Sequence, residues 1–325
     1  MGQKSLYCRL IVLALGLIVR VLVGLLGMGG GVLLVPATVY LLGYEPASGS
    51  PGRLAGLLCM ASMPHTESSM VDLHSHILPS MDDGAKTMED SLAMAEEAIA
   101  DGITHVVATP HASADYSFDY RRVRSAVEEL SSRLAGRLTL ASGCDFHLNH
   151  ENLLALRKDT RPFCINQKDY LLVEFNDFSI PPSLDQTLHE LRLAELRPIV
   201  THPERNGILR THPERLRKWV TQGCYVQVTA GSLSGVFGPS PQKHAWNWLS
   251  RGLVHFISSD AHNTARRPLK LKFAYDAVSA QMGEDRARFF LIDNPMAAFE
   301  GRPLPFVPEI ATDLQPRKRK RFFFF

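Results

Sequence analysis

The sequence predicts an α/β barrel built on a parallel sheet, preceded by a hydrophobic helical segment. Three observations lead there. Short apolar runs alternate with amphipathic stretches, and seven such runs fall in about 230 residues. No G-x-G-x-x-G follows the first run, so a doubly wound dinucleotide sheet has no support. Nearly every run ends in His, Asp or Glu.

The first element does not belong with the rest. From Leu10 to Gly43 the chain is almost wholly apolar, broken only by Arg20, and Val21 to Gly43 carries no charge in 23 residues. That length can cross a bilayer core of about 30 Å and exceeds the apolar part of a signal peptide. Residues 10–43 therefore read as a membrane contact, a single anchor. The alternative is a stray leader with the true start at Met63 or Met70. The glycine-rich "GLLGMGGG" before Pro36 resembles the first helix of TauE/SafE-type permeases. Residues 1–62 thus form a hydrophobic segment and linker, 63–310 a catalytic domain, and 311–325 a basic and Phe-rich tail read as unstructured.

The apolar runs of the body are "MVDLHSH", "THVVATPH", "LTLASGCDFH", "YLLVEF", "RPIVTHPE", "CYVQVTA" and "VHFISSDAH". Between them lie helical stretches. "TMEDSLAMAEEAIADG" places Met88, Leu92, Ala95 and Ile99 on one face, and Gly102 stops it. "SLDQTLHELRLAEL" and "HPERLRKWVTQG" read the same way. Strands that alternate with helices imply parallel pairing, and seven of them favour a barrel.

Composition narrows the function. Lys+Arg 35 against Asp+Glu 33 leaves +2, so no bulk field points to nucleic acid. The five cysteines contain no C-x-x-C pair, which argues against a disulfide framework or zinc ribbon. A reducing compartment follows, with the catalytic domain in the cytoplasm. None of the cysteines has an arginine six residues later, as a thiolate phosphate-binding loop would require.

The strand ends carry the chemistry. They hold His74 and His76, His111, Asp145, Glu174, His202, then Asp260 and His262. In a parallel barrel these ends share one face, where active sites are built. His74 and His76 are i and i+2, as are Asp260 and His262, and such pairs point to one side of a strand. One His at a strand end is ordinary; this whole series is a metal centre. A His/Asp/Glu set without cysteine suits manganese, iron(II) or zinc. The remaining histidines, His147 and His255 among them, read as structural or exposed.

Those residues sit in motifs that resemble the PHP (polymerase and histidinol phosphatase) superfamily. The nearest branch is the manganese-dependent tyrosine phosphatases of capsule and exopolysaccharide loci, the CpsB/CapC-like proteins. The matching stretches run in order over about 235 residues: "DLHSHILPSMDDGAKT", "GITHVVATPH", "LLVEF", "VTHPER", "GCYVQVT", "ISSDAHN" and "IDNP". The resemblance implies a distorted (β/α)7 barrel holding three divalent ions, manganese with iron or zinc as alternatives. By motif, the first ion would take His74, His76, Asp145 and Asp260. The second would share Asp145 and add Glu174 and His202. The third would take Asp83, His111 and His262. The family carries Glu where this chain has Asp145. Arg205 and Arg267 would bind phosphate oxygens, as a planar guanidinium does. The implied reaction is metal-assisted hydrolysis of a phosphotyrosine protein, the C-terminal tail of a bacterial tyrosine kinase. Histidinol-phosphate phosphatase and a non-catalytic scaffold are the rival readings.

Overall fold

A computed structural model describes residues 69–176 and 179–311. The readings of residues 1–62, including the membrane contact at 10–43, and of the tail beyond 311 lie outside the described residues. Among the described residues no helix is long and apolar enough to cross a membrane.

The parallel alternation is present throughout. Strands β1 (Met70–Ser75), β2 (Ile103–Ala108), β3 (His111–Ala112), β4 (Thr139–Ser142), β5 (Asp145–His147), β6 (Tyr170–Glu174), β7 (Arg197–Thr201), β8 (Tyr225–Thr229) and β9 (Phe256–Ser258) pair in parallel. The ladders fall into two sheets, β1-β2-β4 and β3-β5-β6-β7-β8-β9. The division is local. β3 continues the line of β2 beyond Thr109 and Pro110, and β5 continues β4 beyond Gly143 and Cys144. Proline has no N–H to give a ladder. Main-chain bonds carry the pairing across the breaks: Thr109 N donates to Ser75 O, Gly143 N to Ala108 O, and Asp145 N to Pro110 O. At the other edge, Asp260 N donates to His74 O and His76 N to Ala261 O, with a parallel bridge between Ser75 and Ala261. Counted this way, seven staves close a ring in chain order. That is the distorted (β/α)7 barrel expected, its distortion lying in the two broken staves.

The helices follow the strands. α1 (Met88–Ala100), α2 (Tyr120–Leu134), α3 (His150–Lys158) and α4 (Leu184–Leu193) come after β1, β3, β5 and β6. α5 (Gly207–Thr211) and α6 (Pro213–Thr221) follow β7, and α7 (Ala230–Leu233) and α8 (Pro239–Ser250) follow β8. α9 (Lys272–Met282), α10 (Glu284–Arg288) and α11 (Asn294–Glu300) follow β9. Thr87 and Asp90 close a reciprocal capping box on α1. Its buried stripe is Ser91, Met94, Ala95 and Ala98, rotated from the face expected; Met88, Leu92 and Ile99 are only partly buried and flank it. Small residues let the helix approach the sheet closely, and the larger ones fill its margins.

Two apolar clusters result. Val71, Leu73, Val107, Tyr170, Leu172, Ile199 and Phe256 form one. The larger cluster joins strand residues such as Val106, Leu171, Val200 and Val228 to helix residues such as Leu130, Leu188 and Trp219. Rigid packing on both faces of the strands fixes the strand ends, and so the polar residues they carry.

Candidate metal centre

All nine residues expected to ligate cations come together at the C-terminal ends of the staves. The core is a triangle. His74 Nε2 and His76 Nε2 lie 3.4 Å apart, and each is 3.4 Å from Asp260 Oδ1. Three donors about 2.1 Å from a tetrahedral ion are about 3.4 Å apart. The other ring nitrogens are already engaged. His74 Nδ1 faces Gln227 Oε1 at 3.1 Å, and the Gln227 amide is oriented by its donation to Val228 O. His76 Nδ1 lies 2.6 Å from Asp82 Oδ2. An acceptor at each Nδ1 places the proton there and leaves both Nε2 lone pairs aimed at one point.

Around this triangle the cluster extends in two directions. Asp83 Oδ1 lies 3.4 Å from His111 Nε2 and 3.3 Å from His262 Nε2. Asp145 Oδ2 lies 3.6 Å from His74 Nε2 and 2.9 Å from His111 Nδ1. Glu174 reaches His202 Nε2 at 3.2 Å and His111 Nδ1 at 3.4 Å. His111 thus turns one ring nitrogen toward Asp83 and the other toward Asp145 and Glu174. Three groups hold donor atoms within 4.8 Å of one another: His76, Asp83, His111 and His262; His111, Asp145, His147 and Glu174; and His74, His76 and Asp145.

The electrostatics demand positive charge. Burial opposes ionisation of Asp260, but His74, Arg267, His76 and Arg205 outweigh it and hold its carboxyl well below the usual range. Burial would keep His74 neutral, yet Asp260 and Asp145 push its pKa up to about 9. The carboxylates therefore draw in cationic charge, as protons on histidine or as metal ions. Divalent ions fit better, because several buried atoms are otherwise unsatisfied. Both Asp145 oxygens, Glu174 Oε2, His111 Nδ1 and His147 Nε2 lack any partner with hydrogen-bond geometry.

Local backbone conformation serves the same end. His202 and Asp260 sit at φ 32 and φ 53, in the left-handed region that non-glycine residues avoid. Such strain persists where the surroundings over-determine it. At Gly84 the demand is space. A Cβ there would lie 2.1 Å from His76 O, so glycine lets the Asp82–Asp83 turn press against β1.

Several participants escaped the sequence reading. Asp82 looked like a turn residue, but it accepts from His111 N and Gly84 N besides holding His76. Gln227 on β8 holds His74. Glu204 is fully buried and accepts from Thr229 N and Ser232 Oγ, which anchors the loop bearing His202 and Arg205. His147, taken as structural or exposed, instead contacts Glu174 within the centre. His255 is buried beneath β8, away from the cluster, with its Nδ1 accepting from Val226 N.

Both expected arginines reach the centre. Arg205 Nη1 donates to Asp260 Oδ2 at 2.5 Å, and Arg267 Nη2 donates to the same oxygen. Their guanidinium carbons lie 4.9 and 5.9 Å from the Phe237 ring centroid. Arg267 Nε is buried without a hydrogen-bond partner. Arg266, the neighbour of Arg267, contributes to a cavity of about 320 Å³ shared with Arg267, Val236, Phe237, Ser259 and Phe273.

Fold and site together define a parallel α/β-barrel protein whose carboxylate–imidazole cluster has the donors to hold metal ions. The model of the family "Capsular polysaccharide synthesis, CpsB/CapC" matches residues 70–300, and the chain belongs to that family. It is 32% identical over 260 residues to the tyrosine-protein phosphatase YwqE of Bacillus subtilis (strain 168), covering 79% of this chain and 100% of that one. Over 236 residues it is 30% identical to the tyrosine-protein phosphatase CpsB of Streptococcus pneumoniae, covering 70% and 96%. A solved structure from work on these two proteins, described as unique metal-dependent tyrosine phosphatases, superposes with a TM-score of 0.70 at 31% identity. It covers 75% of this chain and 100% of its own.

Proposed function

We propose that this chain is a metal-dependent protein-tyrosine phosphatase of capsule or exopolysaccharide synthesis. Its substrate in this reading is the phosphorylated C-terminal tail of a bacterial tyrosine kinase. One observation carries the chemical part: the 3.4 Å triangle of His74, His76 and Asp260 beside two arginines that share Asp260 Oδ2. The relatives, named tyrosine-protein phosphatases, support a phosphotyrosine protein as substrate.

Three ions are assigned, manganese before iron or zinc. His74, His76, Asp145 and Asp260 would hold the first; Asp145, Glu174 and His202 the second; Asp83, His111 and His262 the third. Ions held there supply Lewis acidity to phosphate oxygens and lower the pKa of a water nucleophile toward neutrality. The chain's own groups do the rest. Gln227 and Asp82 fix the two imidazoles so that both Nε2 lone pairs face the position the first ion would take. Arg205 and Arg267 neutralise the charge that grows on the phosphoryl oxygens, and Arg267 Nε is a donor still to be filled. The Phe237 ring beneath both guanidiniums keeps their planes in place.

A tyrosyl leaving group needs little protonation, its pKa being about 10. The cavity next to the arginines offers Val236, Phe237 and Phe273 to an aromatic ring, while Arg266 and Lys270 disfavour a cationic substrate such as histidinol phosphate. No cysteine among the described residues suits covalent catalysis. Cys144, Cys164 and Cys224 are buried, and burial pushes their thiols up, Cys164 to about 12 and Cys224 to about 11. The deciding experiment compares turnover of a phosphotyrosine peptide with that of histidinol phosphate. A preference for histidinol phosphate would overturn the protein-phosphatase reading.

A further inference from the structure

We infer that His147 is a fourth protein donor to the cation on the Glu174 side of the centre. This rests on the reading of the cluster as metal-holding and adds a ligand to it.

The first reason is position. β5 is Asp145–His147, so the two residues are i and i+2 and share a face. Register then pairs His147 with Glu174 on β6, as it pairs His111 with Asp145 on the other side. Four donor-bearing side chains thus stand abreast on three adjoining strands. Their ligand atoms all lie within 4.8 Å of one another.

The second reason is the state of the atoms. His147 Nε2 is in contact with Glu174 Oε2, yet neither atom has a partner of hydrogen-bond geometry. Both atoms therefore keep a lone pair that no hydrogen bond occupies, within a group of four donors close enough to hold one ion. A buried carboxylate left so would be costly, and a cation removes the cost.

The third reason is reach. Asp145 contacts His74 and His111, and its oxygens make no ion pair with His202. A carboxylate on a single methylene covers less ground than one on two. His147 supplies a donor on the side that the short arm leaves thin. Its backbone is well fixed for this. Asn149 N and Asn152 Nδ2 both donate to His147 O, and Asn152 Nδ2 donates also to Ala112 O.

The test is titration of Mn²⁺ into metal-stripped full chain, by calorimetry, for wild type, His147→Gln and His147→Glu. The two substitutions have nearly the same shape and reach but differ in donor strength. Both keep the carbonyl bonds that fix residue 147, and the side chain is 29% exposed, so both should fold. His147→Gln is expected to lose one class of bound ion, or to weaken it at least tenfold, with the other classes unchanged. His147→Glu is expected to retain it. A Gln variant that titrates as wild type does, or that binds better than the Glu variant, overturns the assignment. Unchanged titration with lower turnover would make His147 a proton donor instead, which also overturns it. Wild type that binds no divalent ion would sink the metal centre itself, a separate failure.

Discussion

Replacing Asp82 by Asn changes one oxygen to an amide group and tests how the centre is held. Asp82 Oδ2 accepts from His76 Nδ1 at 2.6 Å and from His111 N at 3.0 Å, and Oδ1 accepts from Gly84 N at 2.9 Å. Each partner is a donor, so an Asn side chain must set its own NH₂ against at least one of them. Burial raises the Asp82 pKa, but His76 and the two backbone donors outweigh it and bring the value from 3.8 to about 2. Nearly two pKa units correspond to about 2.4 kcal/mol. The folded-state pKa is the lower one, so this stability is present above about pH 4 and is lost as pH falls through about 2. Asp82→Asn should therefore cost roughly 2 to 3 kcal/mol in urea unfolding of metal-stripped protein at pH 7. It should also weaken cation binding by about ten- to a hundredfold, since the His76 ring loses its orienting partner. The difference from wild type should shrink toward zero below about pH 3. Unfolding within about 0.5 kcal/mol of wild type, with a superimposable metal titration, would refute the reasoning.

Three further perturbations probe other parts of the account. Burial holds His255 neutral, with its pKa down at about 3 from 6.5, so the unfolded chain binds the extra proton across that window and stability falls with it. The loss is roughly 4 to 5 kcal/mol between pH 6.5 and about 3, and that component should vanish in His255→Gln, read from urea midpoints against pH. At His202, φ 32 favours glycine, so His202→Gly should be about 1 kcal/mol more stable than His202→Ala, with both inactive on phosphotyrosine peptide; the usual order, Ala above Gly, would count against strain at that residue. Gly84→Ala must displace His76 O or the Asp82–Asp83 turn, so calorimetry should show weakened cation binding and an activity assay a large loss; normal behaviour in both would mean that the close approach does not matter.

The barrel was legible because apolar runs of strand length recur between amphipathic stretches, and β1, β6 and β7 are buried on both faces as parallel strands require, whereas β4 begins at the exposed Thr139. The broken staves were visible only in part: Pro110 interrupts a ladder by its chemistry, whereas Gly143 is silent until its neighbours are known. The strand-end residues were legible from their spacing. "HSH" places its partners two apart where β1 ends, as the strand rule expects; "DAH" has the same spacing but lies beyond β9, with Asp260 at φ 53, so that pair meets through the turn and not through strand alternation. "DFH" has the same spacing, so His147 could have been found by the rule that found the others. Asp82 could not, because an aspartate in a turn reads the same whether it caps the turn or grips an imidazole 6 residues back. Gln227 lies 153 residues from His74, and only closure of the barrel brings them together. The same holds for Phe237, whose place beneath two guanidiniums depends on the loop after α7.

The most direct test is phosphate release from a phosphotyrosine peptide before metal removal, after exhaustive removal, and after Mn²⁺ is restored. The account predicts that turnover disappears with the ions and returns with manganese, and that alkylation of thiols changes neither step. Turnover that survives complete removal of divalent ions would contradict it.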